Sequence, residues 1–208
     1  MKIARYFFKQ IFNYFFKLAN FNFIIFNPQM IELLFDENKT KISLQIHSQK
    51  AALHINNNHT ELFLQFALKH LISKQFNIYF RELNGIDQHL DILFKIVTTR
   101  GKKFVYVNYL FSYFSRLYYN RLIQHIETSK NISKIVQLIK FGGVRGPLTL
   151  SEQAENIEIK VKSNNLNSTK YQLSNKYNPE MKFSVFIDEV YRFDENIAIY
   201  NVKIERNM

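Results

Sequence analysis

The sequence predicts a mainly α fold: a helical bundle with a protruding β-ribbon, plus a mixed N-terminal extension. Three observations predict it. Apolar residues recur at helical spacing in several segments between residues 60 and 141. Apolar and polar residues alternate over 157–174 around an Asn/Ser/Thr centre, which reads as a hairpin. Residues 1–82 mix a basic, aromatic start with a short alternating stretch.

These patterns divide the chain at 82/83, into an extension and a helical domain. In the extension, Ile42, Leu44 and Ile46 alternate with polar residues and suggest a strand. Thr60 caps an expected helix, "TELFLQFALKHLISKQF", with Leu64, Leu68, Leu71 and Ile72 on one face. Ile86, Leu90, Leu93, Phe94 and Val97 mark a second helix, which Gly101 ends. A long helix is expected from Lys102 or Lys103 to about Ile126, apolar over most of its circumference. A fourth is expected near Asn131–Phe141, with Ile132, Ile135, Val136 and Ile139 aligned. "GGVRGPLTLSEQAEN" reads as a loop or insertion, with Thr149 and Glu152 at capping-box spacing. After the hairpin, Asn178-Pro179 opens an expected helix, "PEMKFSVFIDEVYRF", and "IAIYNVKIER" alternates as a strand.

The formal net charge of +11 points to a polyanionic partner, nucleic acid or anionic membrane. With 21 Phe and 12 Tyr beside 5 Gly, the usage suggests AT-rich coding of the organellar or protist kind. The absence of cysteine excludes a disulfide framework, a zinc ribbon and a thiol nucleophile. No P-loop is present, and Gly142, Gly143 and Gly146 match no dinucleotide fingerprint. His54 and His59 lack a third ligand in sequence, and no metal or cofactor is expected. Asp188 and Glu189 are adjacent, so on a helix they would diverge by about 100° and share no acid/base site. An enzyme would need a cluster formed only in the fold, such as Asp91 with His125. The expectation is a non-enzymatic protein without a small-molecule substrate.

The candidate binding residues are cations. Arg100, Lys102 and Lys103 surround Gly101 at an expected helix–helix turn, where a helix N-terminus would favour a phosphate. Lys160, Lys162 and Lys170 line the hairpin. Arg116 and Arg121 mark the less buried side of the long helix.

These two features, in this order, resemble the family of small-subunit ribosomal protein seven. The resemblance rests on "LDILFKIVTTRGKKFVYVNYLF" and on "IEIKVKSNNLNSTKYQL", where Val161-Lys162-Ser163 and Tyr171-Gln172-Leu173 match the family's ribbon. It implies a helical domain with a ribbon that binds rRNA of the head region and supports its assembly. The implied partners are small-subunit rRNA, neighbouring ribosomal proteins, and mRNA and exit-site tRNA close by. The expected setting is a mitochondrial ribosome, with the gene in the organelle. The alternative reading, motivated by the Phe-rich basic start, is a peripheral structural subunit of an organellar inner-membrane complex.

Overall fold

A computed structural model describes residues 2–22, 27–35, 44–55, 59–80, 86–114, 116–145, 147–163, 166–192 and 197–207. It corrects the expected fold class. The described residues build one nine-stranded mixed sheet backed by short helices, not a helical bundle.

Five parallel strands come first: β1 (Phe15–Phe21), β2 (Ile46–Ile55), β3 (Leu71–Phe80), β4 (Phe104–Phe114) and β5 (Leu138–Arg145). Helix α1 (Lys2–Asn13) precedes them, and α2 (Pro28–Leu34), α3 (Thr60–His70), α4 (Leu90–Thr99) and α5 (Arg116–Thr128) connect them. An antiparallel meander follows: β6 (Glu155–Ser163), β7 (Leu166–Asn175), β8 (Asn178–Arg192) and β9 (Ile197–Arg206). Across the sheet the order is β1-β2-β3-β4-β5-β9-β8-β7-β6, so the last strand joins the two halves.

The parallel half steps one strand at a time in one direction. Crossovers of a single hand then put every connecting helix on the same face. The contacts agree. Phe21 of β1 meets Phe66 of α3 edge-on, the Tyr109 hydroxyl of β4 donates to the Leu93 carbonyl of α4, and Tyr118 of α5 meets Phe141 of β5. On the far side of α5, Tyr119 and Tyr171 of β7 share a buried hydrogen bond of 2.6 Å between hydroxyls.

Strand register explains the core. Ala19, Ala51, Phe76, Val107, Ile139, Ile204, Val185 and Tyr171 are successive partners across eight strands, and all are buried. Each large apolar member contributes about 1.5–3 kcal/mol by leaving water. Side chains one position along point to the opposite face. Among the described residues no helix covers that face.

The other expectations for individual elements divide. The 157–174 hairpin forms as β6 and β7, and "IAIYNVKIER" forms β9. The expected helix from Thr60 stops at His70, where β3 begins. Residues 86–99 are helical, a 3-10 turn followed by α4. The long helix is in fact β4 followed by α5, and 131–141 gives a 3-10 turn and the start of β5. Asn178-Pro179 opens strand β8 rather than a helix. The expected division at 82/83 falls between β3 and α4, and β3 pairs with β4 across it. Ile42 lies outside the described residues, and Leu44 just precedes β2.

Candidate nucleic-acid interface

Every parallel strand presents its N-terminal end at the same rim of the sheet. The α4–β4 turn lies there and carries Arg100, Gly101, Lys102 and Lys103. Gly101 is required by a close backbone approach. Its N–H donates to the Lys134 carbonyl at 2.8 Å, and an added Cβ would lie 2.5 Å from the Ile135 carbonyl oxygen. The turn is thereby pressed onto the segment after α5, which carries Lys130 and Lys134.

Two further segments reach this rim. Arg206 at the end of β9 donates its backbone N–H to Gln137, and its guanidinium points to the Ser133 carbonyl at 3.5 Å. The β7–β8 turn is bolted to the end of α5 by Asn175. Its buried side-chain amide donates to the carbonyls of Ile126 and Ser129, while its oxygen accepts from the N–H groups of Tyr177 and Asn178. Lys176 follows, and Lys130 lies over the Tyr177 ring.

Arg100, Lys102, Lys130, Lys134, Lys176 and Arg206 therefore share one rim, although they come from four separate segments. None forms an ion pair among the described residues, and Glu205, next to Arg206, is taken up by Lys203 at 2.5 Å. Arg100 is half-buried, and its Nε has no hydrogen-bond partner among the described residues. Positive charge concentrated at a rim, with no ion pair to it among the described residues, fits a chain of phosphates.

The eight cations singled out in the sequence are dispersed. Arg100 and Lys102 belong to the rim. Lys103 is turned inward, where its Nζ donates to the carbonyls of Leu68 and Lys69 at the end of α3. Burial, then the charge of Arg100, pushes its pKa down to about 8. The expected helix N-terminus after these cations is absent, because a strand follows the turn. Arg121 pairs with Asp91 at 2.5 Å and covers the Phe94 ring. That hydrogen bond and charge lower the Asp91 pKa. Arg116 starts α5 at the opposite end of the sheet. Lys160 and Lys170 stand on β6 and β7, both beside Glu158. Lys162 is on β6, with its side chain outside the described residues. The Asp91 and His125 pair considered for an enzyme lies around Arg121 and Phe94, His125 resting edge-on against that ring.

Sequence reasoning missed the uncovered sheet face. Its central row runs Asn20, Ala52, Asn77, Asn108, Lys140, Lys203, Phe186, Lys170 and Glu158 in register. The Asn108 amide reaches the Asn77 oxygen at 3.4 Å, Lys140 lies over Tyr106, and Lys203 lies over Phe186. One signal could have found it: a single polar residue interrupts "FNIYF", "VNYLF", "LIKF" and "VKI" at the same level. Where the parallel half meets the meander, this face holds a cavity of about 400 Å3 lined by Asn108, Lys140, Gly142, Phe186, Asn201 and Lys203, among others.

Residues 1–81 match a family described as a domain of unknown function (DUF8381). That match spans α1 to β3 and ends one residue before the expected division at 82/83. No curated protein matches the chain.

Proposed function

We propose that this protein is a non-enzymatic, RNA-binding component of a mitochondrial small ribosomal subunit, holding rRNA of the head region near the exit-site tRNA and mRNA path. One observation carries the RNA-binding part: four segments distant in sequence converge to set along one rim cations that form no ion pair among the described residues. Such a rim neutralises phosphates and releases counterions, which supplies affinity without a sequence code. The ribosomal setting draws on the two motifs around Arg100–Lys103 and 161–173 and on the AT-biased composition. The helical architecture that the family resemblance implied is no part of it. The residues proposed to touch RNA are Arg100, Lys102, Lys130, Lys134, Lys176 and Arg206, with Lys160 and Lys170 on the meander.

Recovery of the native protein under mild crosslinking tests the proposal. Small-subunit rRNA is expected to dominate the bound RNA, with contacts mapping to the rim. Crosslinks scattered evenly over large-subunit rRNA or messenger RNA refute the ribosomal setting.

A second reading has its own observation. On α1, Phe8 and Phe12 pack inward, while Ile3, Tyr6 and Phe7 are exposed beside Lys2 and Lys9. A basic helix with an exposed apolar stripe suits the surface of an anionic membrane. No helix among the described residues is long and apolar enough to cross a membrane. This reading prevails if the native protein stays with membrane complexes after ribonuclease treatment and is freed only by detergent.

A further inference from the structure

We propose that the cavity on the uncovered sheet face receives one unpaired nucleobase of an RNA strand, so that the protein prefers single-stranded over duplex RNA. The proposal rests on the RNA-binding reading but uses a different site, on the face rather than the rim.

The cavity sits where β5, the last parallel strand, meets antiparallel β9. Pairing slips there: the register shifts between Phe141 and Val144 on β5, and Gly143 takes a left-handed φ of 77°. Gly142, the residue before it, faces the uncovered side and has no side chain. A Cβ there would meet Leu110 Cδ2 at 3.4 Å and Asn201 Oδ1 at 3.7 Å, both of which line the cavity. The hollow therefore exists partly because residue 142 is glycine. Its volume of about 400 Å3 lies within the range of about 300–1,000 Å3 usual for small-molecule sites.

The lining selects the occupant. Leu110 and Gly142 give apolar surface for a flat base, and the Phe186 ring, which Lys203 overlies, closes one side of the hollow. Asn108 and Asn201 each offer a donor and an acceptor, as the edge of a base requires. Lys140 and Lys203 stand at the same row of the sheet; Lys203 also holds Glu205, and Asp188 lines the cavity too, so the charge that meets the phosphate attached to that base is chiefly that of Lys140. A base stacked within a duplex cannot enter such a hollow without leaving its stack, which costs a few kcal/mol. An unpaired base has already lost that stacking, so single strands bind better.

Dissociation constants are measured for one RNA sequence as a single strand and as a duplex, using the full chain. The wild type is expected to favour the single strand by tenfold or more. Gly142→Phe fills the hollow and is expected to abolish that preference while leaving duplex affinity within twofold. Gly142→Ala, whose Cβ fits at ordinary contact distance, should retain most of it. If Gly142→Phe fails to fold, Phe186→Leu replaces it and should reduce the preference at least threefold. Equal wild-type affinity for the two forms, or an unchanged preference in a folded Gly142→Phe or Phe186→Leu protein, overturns the proposal. Failure of wild-type protein to bind either form overturns the RNA-binding reading itself. Weakening of both forms alike by substitutions at the rim leaves that reading standing, whatever happens at the cavity.

Discussion

Replacing Lys102, Lys130 and Lys134 together by Ala should halve the salt dependence of RNA binding. The three are exposed and lie on one rim with Arg100, Lys176 and Arg206. If each of the six cations neutralises one phosphate of a duplex, log affinity falls with log salt at a slope of about −5. Raising salt from about 50 to about 200 mM then weakens wild-type binding by roughly a thousandfold, and binding by the triple variant by roughly fortyfold. Fluorescence anisotropy with a labelled small-subunit rRNA fragment at four or five salt concentrations reads the slope directly. Stability is the control: none of the three side chains is buried or, among the described residues, ion-paired, so urea unfolding should shift by no more than about 1 kcal/mol, most of it from Lys130 leaving the Tyr177 ring. A folded triple variant that keeps the wild-type slope would refute the rim as the phosphate-binding surface.

Other outcomes follow from packing and titration. The hydroxyls of Tyr119 and Tyr171 satisfy each other in a buried site. Tyr119→Phe or Tyr171→Phe alone should cost about 1–2 kcal/mol in urea unfolding, the double variant less than their sum, because a lone buried hydroxyl is worse than none; strict additivity would sink that account. Gly101→Ala forces a Cβ against the carbonyls of Lys134 and Ile135 and should cost about 2 kcal/mol or more, read as a lowered urea midpoint at unchanged m-value. His70 donates from Nδ1 to the Leu44 carbonyl, which leaves Nε2 as a buried acceptor with no partner among the described residues. Burial is the main cause that lowers its pKa below the ordinary 6.5, as it does for His125. Between the folded and unfolded pKa values the unfolded chain binds more protons, so stability should fall as pH drops below about 6.5. His70→Gln should flatten that slope, and a wild-type stability unchanged between pH 7.5 and 5 would contradict it.

What could be read from sequence followed the strength of its periodicity. The hairpin strand β6 alternates over 157–162, β7 over 170–174 and β9 over 200–205, and all three were legible. Residues 104–114 were not, because "FVYVNYLFSYF" is apolar at nearly every position and fits a helix as well as a strand buried among neighbours. In "PEMKFSVFIDEV" the Asn-Pro start outweighed the period-two series Phe183, Val185 and Ile187, which in the fold points inward. The turn at Arg100–Lys103 was visible as a cluster of charge. Its companions were not, since only tertiary contacts bring Lys134 and Arg206 to it. The same contacts turned Lys103 away, to cap α3.

The position of β9 bears on how the chain is made. It follows every other strand in sequence yet sits between β5 and β8, in the interior of the sheet. Until residues 197–206 leave the synthesising ribosome, β5 and β8 each keep a long edge of unpaired backbone groups. Both edges are open to pairing with other chains during that interval. The two halves can form early, but they become one sheet only when the final strand is inserted. A stop codon placed before Ile197 should therefore add two exposed edges, on β5 and β8, to those the complete sheet has at β1 and β6, and the product should aggregate rather than fold as a smaller protein.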